Sequence, residues 1–216
     1  MRDSMQWKIA VAIAAITLAS GCSNNTADDA EPTEQTDSPD SEGQQVDLPH
    51  SGAPPIDDPV QDIARFEEEP CSILGDDELA ESGFPINHAE ADLEASTGPR
   101  CEFEMKSSEG TRAGVFAVTL TAPDSEGLSH IYRLEESGTL ELFEELDYIE
   151  GYPAVIAGQR DERHRGECDI YTGVRDANAL MLQVTATSDT SPHHETPCES
   201  ARELTTLAIQ NLTGGV

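Results

Sequence analysis

The chain has 216 residues, of which 43 are acidic and 12 basic, giving a formal net charge of −31. That length suits one domain plus appendages. Phosphates and anionic headgroups repel so acidic a surface, which excludes nucleic acid as a partner and excludes a basic patch as the means of holding a membrane. The acidity reads as a solvating surface suited to a saline habitat, ahead of the alternative that it captures cations or a basic partner.

Arg2 and Lys8 flank a short polar start, and Ile9 to Ala19 then form an apolar run broken only by Thr17. Its 11 residues fit a signal-peptide core and fall well short of the roughly 20 needed to span a bilayer. Leu18-Ala19-Ser20-Gly21-Cys22 follows. Small residues directly before a cysteine are what a lipoprotein signal peptidase accepts, so residues 1–21 are expected to be the leader and Cys22 the lipidated first residue. Leu18 stands one position further back than the usual leucine, and an ordinary cleaved leader with a stray cysteine is the alternative. Cysteine arithmetic favours lipidation: of Cys22, Cys71, Cys101, Cys168 and Cys198, removing Cys22 leaves four that can pair completely in an oxidising compartment. The expected location is extracytoplasmic, with the membrane as a partner through the lipid on Cys22.

Residues 22–64 are expected to be the lipidated cysteine and an acidic tether. From Ser23 to Asp62 there is no Lys, Arg or aromatic residue, and such composition buries too little apolar surface to offset chain entropy. A coil of this length spans on the order of 35 Å. Residues 65–213 are expected to form one domain, large enough for a sizeable core.

Within that domain, Gly75 to Gly83 reads as a short helix, acidic in its first turn. Cys101 to Lys106 alternates as a half-buried strand, and Gly114 to Thr121 is a strand with Phe116, Val118 and Leu120 on one face. Leu128 to Glu136 is predicted helical, with Leu128, Ile131 and Tyr132 on one side. Leu146–Ile149 and Ala154–Ile156 read as short strands around a Gly151-Tyr152-Pro153 turn. Cys168, Ile170, Thr172 and Val174 alternate with outward Asp169, Tyr171 and Arg175; the chain turns at Asp176-Ala177-Asn178 and returns through Leu180, Leu182, Val184 and Ala186. Thr196-Pro197-Cys198-Glu199 opens a final helix that carries Ala201, Leu204, Ala208 and Leu212 at helical spacing. Hairpin-joined strands with few helices predict an α+β domain, an antiparallel sheet with helices packed on one face.

Four cysteines allow three pairings. Cys71–Cys101 with Cys168–Cys198 is the favoured set, because each bond joins the start of a helix to a strand. Zinc is the alternative for a cysteine pair, but CxxC spacing is lacking, so no metal or cofactor is expected.

Pro70-Cys71-Ser72-Ile73-Leu74 with Asp77-Glu78-Leu79-Ala80, Arg100-Cys101-Glu102-Phe103, Gly151-Tyr152-Pro153-Ala154-Val155, Cys168 leading a strand, and Pro197-Cys198-Glu199-Ser200-Ala201 together resemble an actinobacterial cell-envelope lipoprotein family of unknown function. The likeness runs over about residues 65 to 213. Phe103 departs from it, standing where that family often has tryptophan, and so does the strong acidity. The resemblance implies a secreted, lipid-anchored envelope protein and supplies no catalytic residues.

The chain itself offers no catalytic constellation. His193-His194-Glu195, with Asp189, could bind a cation in principle, but it lacks HExxH spacing and reads as solvated loop histidines. Asp161-Glu162-Arg163-His164-Arg165 reads as an exposed hairpin turn. Neither a Gly-x-Ser-x-Gly elbow nor a Gly-rich phosphate loop occurs. A non-catalytic binding or interaction module, taking an envelope protein or a small-molecule or lipid ligand, is the leading expectation. An accessory subunit of a membrane complex and an envelope hydrolase are the alternatives.

Overall fold

The alternation between Cys168 and Ala186 builds the centre of the molecule. The computed structural model describes residues 47–187 and 191–214. Strands β6 (Glu167–Arg175) and β7 (Asn178–Thr185) pair antiparallel with Ile170 opposite Leu182 and Cys168 opposite Val184, all fully or nearly fully buried. Five more strands extend this hairpin: β1 (Ile86–Asp92), β2 (Arg100–Lys106), β3 (Arg112–Leu120), β4 (Leu142–Glu145) and β5 (Ala154–Gly158). The sheet order is β1-β2-β3-β7-β6-β5-β4, antiparallel throughout. Two meanders are thus joined edge to edge, β3 closing on β7. The α+β class expected from the hairpins is the class observed.

Helix α4 (Pro197–Gly214) lies across β6 and β7 and buries Ala201, Leu204, Ala208 and Ile209 completely. Its proline occupies the first helical position, where no backbone N–H is needed. The same face of the sheet carries Phe103, Phe116, Leu180 and Leu182, with Phe103 and Phe116 stacked at 4.7 Å. Short helices α1 (Ala64–Glu68) and α2 (Asp76–Glu81), with the 3-10 turn Pro70–Ile73 between them, contribute Phe66, Ile73 and Leu79 to this core.

Helix α3 (Gly127–Glu136) packs elsewhere. Leu128 and Ile131 meet Val155, Ala157 and Ala179, whereas Ala154 and Ile156 belong to the α4 side. Neighbouring residues of a strand point to opposite faces, so α3 sits on the face away from α4. It follows β3 at the sheet centre and carries the chain to the far edge. Gly127 makes this crossing close: its φ is +53°, and a Cβ there would lie 2.6 Å from the carbonyl oxygen of Asp176.

Two disulfides staple the ends. Cys71–Cys101 ties the 3-10 turn to β2, and Cys168–Cys198 ties β6 to the first turn of α4, with Cα atoms 5.0 and 5.1 Å apart.

Four expectations about the fold differ from the structure. The helices do not all pack on one face: α3 carries the chain from β3 to the far edge across the face opposite α4. The strand expected at Leu146–Ile149 lies earlier, at Leu142–Glu145; residues 146–149 form the tail of the hairpin, closed by an Ile149–Tyr152 bridge. Strand β1 went unread, since its exposed edge position and a register irregularity between Ile86 and His88 leave no apolar alternation. The folded part also begins before residue 65. Ala53, Val60 and Ile63 are buried, and 47–62 runs as a strap along the end of the sheet.

Candidate binding cleft

The strap is held by backbone atoms, which is why composition alone misses it. The His50 N–H donates to Ser129 Oγ (2.9 Å), the Ile56 N–H to Asp176 Oδ1 (3.1 Å), and the Val60 N–H to the carbonyl of Val174 (3.0 Å). Arg175 answers with its guanidinium, Nε donating to the Val60 carbonyl (2.6 Å) and Nη2 to that of Gln61 (2.5 Å). Pro54, Pro55 and Pro59 stiffen the segment without needing N–H partners.

Where the strap passes into α1 it forms one wall of an open cleft of about 420 Å³. Val60 and Phe66 supply its apolar floor, Asp58, Gln61, Asp62 and Arg65 its rim, and Tyr152 the facing wall. Asn211, Leu212 and Thr213, at the C-terminal end of α4, close the third side. Asn211 is fixed there by its side-chain amide, which donates to the Ile73 carbonyl (2.9 Å) and to Glu78 (2.8 Å). A second cleft of about 240 Å³ shares Arg65, Phe66 and Asn211 and continues toward Ser72, Gly75 and Glu78. The Arg65 guanidinium sits 5.5 Å over the Phe66 ring. Volumes of this order accept small ligands.

Tyr152 is the residue that turns the Gly151-Tyr152-Pro153 corner into a wall. Glu150 and Gly151 adopt positive φ (50° and 89°), the corner closes, and the ring points inward with 8% exposure. Burial, helped by the charge of Asp58, pushes its phenol above the usual range. The hydroxyl therefore stays protonated and can donate or accept a hydrogen bond.

The other residues singled out in the sequence fall into three places. Cys22 and Asp189 lie outside the described residues. Arg163 pairs with Asp161 (2.6 Å) and Glu144 (2.8 Å) on the exposed β5–β6 connection, which holds the Asp161 carboxyl down at about 2. This is a surface ion network in the turn, as read. His193 is not solvated: its ring stacks on Phe84 and its Nδ1 is 2.9 Å from Ser200 Oγ. Ser200 is 5% exposed, and burial is the main cause that lowers the His193 pKa. The pair bolts the start of α4 to Phe84, in the segment between α2 and β1. Among the described residues there is no group of three or more metal-ligating side chains, and no helix long and apolar enough to cross a membrane.

Fold and cleft together define a disulfide-stapled antiparallel α+β domain with a strap-walled cleft at one end of the sheet. The chain belongs to an uncharacterised family, described as protein of unknown function (DUF3558), whose model matches residues 17–211. No curated protein and no solved structure matches it.

The cleft residues Asp58, Val60, Gln61, Arg65, Phe66 and Asn211 were missed in the sequence. The signal that could have found the strap is the spacing of Val60, Ile63 and Phe66 behind three prolines, a buried periodicity starting inside an otherwise polar run.

Proposed function

We propose that this protein is a lipid-anchored extracytoplasmic lipoprotein whose stapled domain is a non-catalytic binding module, taking a small amphipathic molecule in the Tyr152 cleft. The observation that carries the binding reading is the cleft itself, with an apolar floor at Val60, Phe66 and Leu212 and hydrogen-bonding groups from Tyr152, Gln61 and Asn211 around it. Sites that fix small ligands combine these two features. The anchoring reading is supported by cysteine use: four cysteines are consumed in two disulfides, bonds that persist in oxidising compartments, which leaves Cys22 behind the apolar leader for lipid. Lipid on Cys22 would attach the domain to the membrane.

The test is native mass spectrometry of full-length protein extracted from membranes, beside a Gln61→Trp variant. Gln61 is an exposed rim residue, so an indole there fills the cleft without touching the core. The binding reading expects a bound small molecule on the parent and none on the variant. A parent that carries no added mass, or a variant that keeps it, contradicts the reading.

A further inference from the structure

The polar side chains around the Tyr152 cleft have mostly spent their hydrogens and kept their lone pairs. The Asn211 amide donates to the Ile73 carbonyl and to Glu78, and the Thr213 hydroxyl donates to the Ile209 carbonyl (2.8 Å). Gln61 turns its amide onto the Pro59 carbonyl (2.6 Å). What these side chains still offer is mainly oxygen acceptors. Asp58 and Asp62 add carboxylates at the rim, and no ion pair to either forms among the described residues. Helix α4 ends at the same cleft with no basic side chain in its last turn, so the negative end of its dipole adds to theirs. Against this stands Arg65, whose guanidinium lies 5.5 Å over the Phe66 ring.

Tyr152 points the same way by a different route. Its side chain is 8% exposed and lines the cleft, and its hydroxyl has no hydrogen-bond partner among the described residues. An enclosed hydroxyl left without a partner costs stability unless a ligand or water completes it. The charge of Asp58 reaches that phenol, so the carboxylate and the hydroxyl act on one volume.

Resting on the binding reading above, we propose that the ligand of the cleft is a small organic cation, a protonated amine on an apolar body. The body lies on Val60 and Leu212, and the ammonium N–H groups donate to the Tyr152 oxygen and the Asp58 carboxylate. An ammonium brings three donors and a charge to a site rich in acceptors. A neutral alcohol brings one donor and no charge, and a carboxylate would meet like charge.

Calorimetric titration of the full-length lipoprotein in zwitterionic nanodiscs, against empty nanodiscs, tests this with probes that share one body: phenethylamine, phenethyl alcohol and hydrocinnamate. The expected result is that phenethylamine binds about tenfold more tightly than phenethyl alcohol, and that hydrocinnamate does not bind. Asp58→Asn should weaken the amine about fivefold. The exposed and distant Glu109→Gln should leave it unchanged, and Gln61→Trp should abolish it. An alcohol or acid that binds as tightly as the amine, an amine held equally well by the Asp58→Asn or Gln61→Trp protein, or no binding of any probe overturns the proposal. The mass carried by membrane-extracted protein does not depend on these probes, so the binding reading stands or falls separately.

Discussion

The imidazole of His193 lies flat on the ring of Phe84, centroids 4.4 Å apart and planes within 15°. Its Nδ1 lies 2.9 Å from the Ser200 hydroxyl, and burial lowers its pKa against the opposing pull of the Gly83 carbonyl and Glu203, so the neutral ring is the form the fold prefers. A base whose folded pKa is depressed contributes stability above its unfolded value, near 6.5, and loses it as pH falls. Urea unfolding at pH 7.5, 6 and 5 should show that loss. His193→Ala should cost on the order of 1–2 kcal/mol at pH 7.5 and flatten the decline below pH 6.5.

Asp169 works in the opposite sense. Its folded pKa is raised to about 6 from 3.8 by burial, so the unfolded chain ionises first as pH rises, and the carboxyl destabilises the fold increasingly between about pH 4 and 6. Asp169→Asn keeps the side-chain size and should raise stability at pH 7.5 by on the order of 2 kcal/mol, with no gain at pH 4. Thermal unfolding of both proteins at the two pH values reads this directly.

The strap depends on one side chain. Arg175→Met removes both donors to the Val60 and Gln61 carbonyls while keeping most of the apolar stem. Hydrogen exchange should show the Val60 amide losing protection while the amides of Leu180 and Leu182 keep theirs, with global stability lower by about 2 kcal/mol.

Each disulfide closes a loop of equal sequence separation, 30 residues. Loop-closure entropy then predicts that the paired serine variants, Cys71→Ser with Cys101→Ser and Cys168→Ser with Cys198→Ser, each lose about 3–4 kcal/mol. Denaturant midpoints under non-reducing conditions check this.

Legibility tracked burial. Strands β2, β3, β6 and β7 and helices α3 and α4 were readable because each buries a periodic stripe, such as Cys101, Phe103 and Met105, or Ala201, Leu204 and Ala208. β1 and β4 sit at sheet edges with almost no buried side chains, Leu142 being the buried residue of β4, so there was no period to detect. The cleft was hidden for another reason. Its strap is fixed by main-chain bonds to Val174, Arg175 and Asp176, more than 110 residues away, and such bonds leave no trace in local composition. The sequence reads Tyr152 as a turn residue, but its inward ring follows from the positive φ of Glu150, which a non-glycine sequence does not announce.

Anchoring turns on Cys22 having a different fate from the four cysteines in disulfides. Mass spectrometry of the N-terminal peptide from membrane-extracted protein tests it most directly. The account predicts a mature chain that begins at Cys22 with a diacylglyceryl thioether, and a Cys22→Ala variant that yields no such species and leaves the membrane fraction. A mature chain beginning elsewhere, or an unmodified Cys22 thiol on protein that stays membrane-bound, contradicts it.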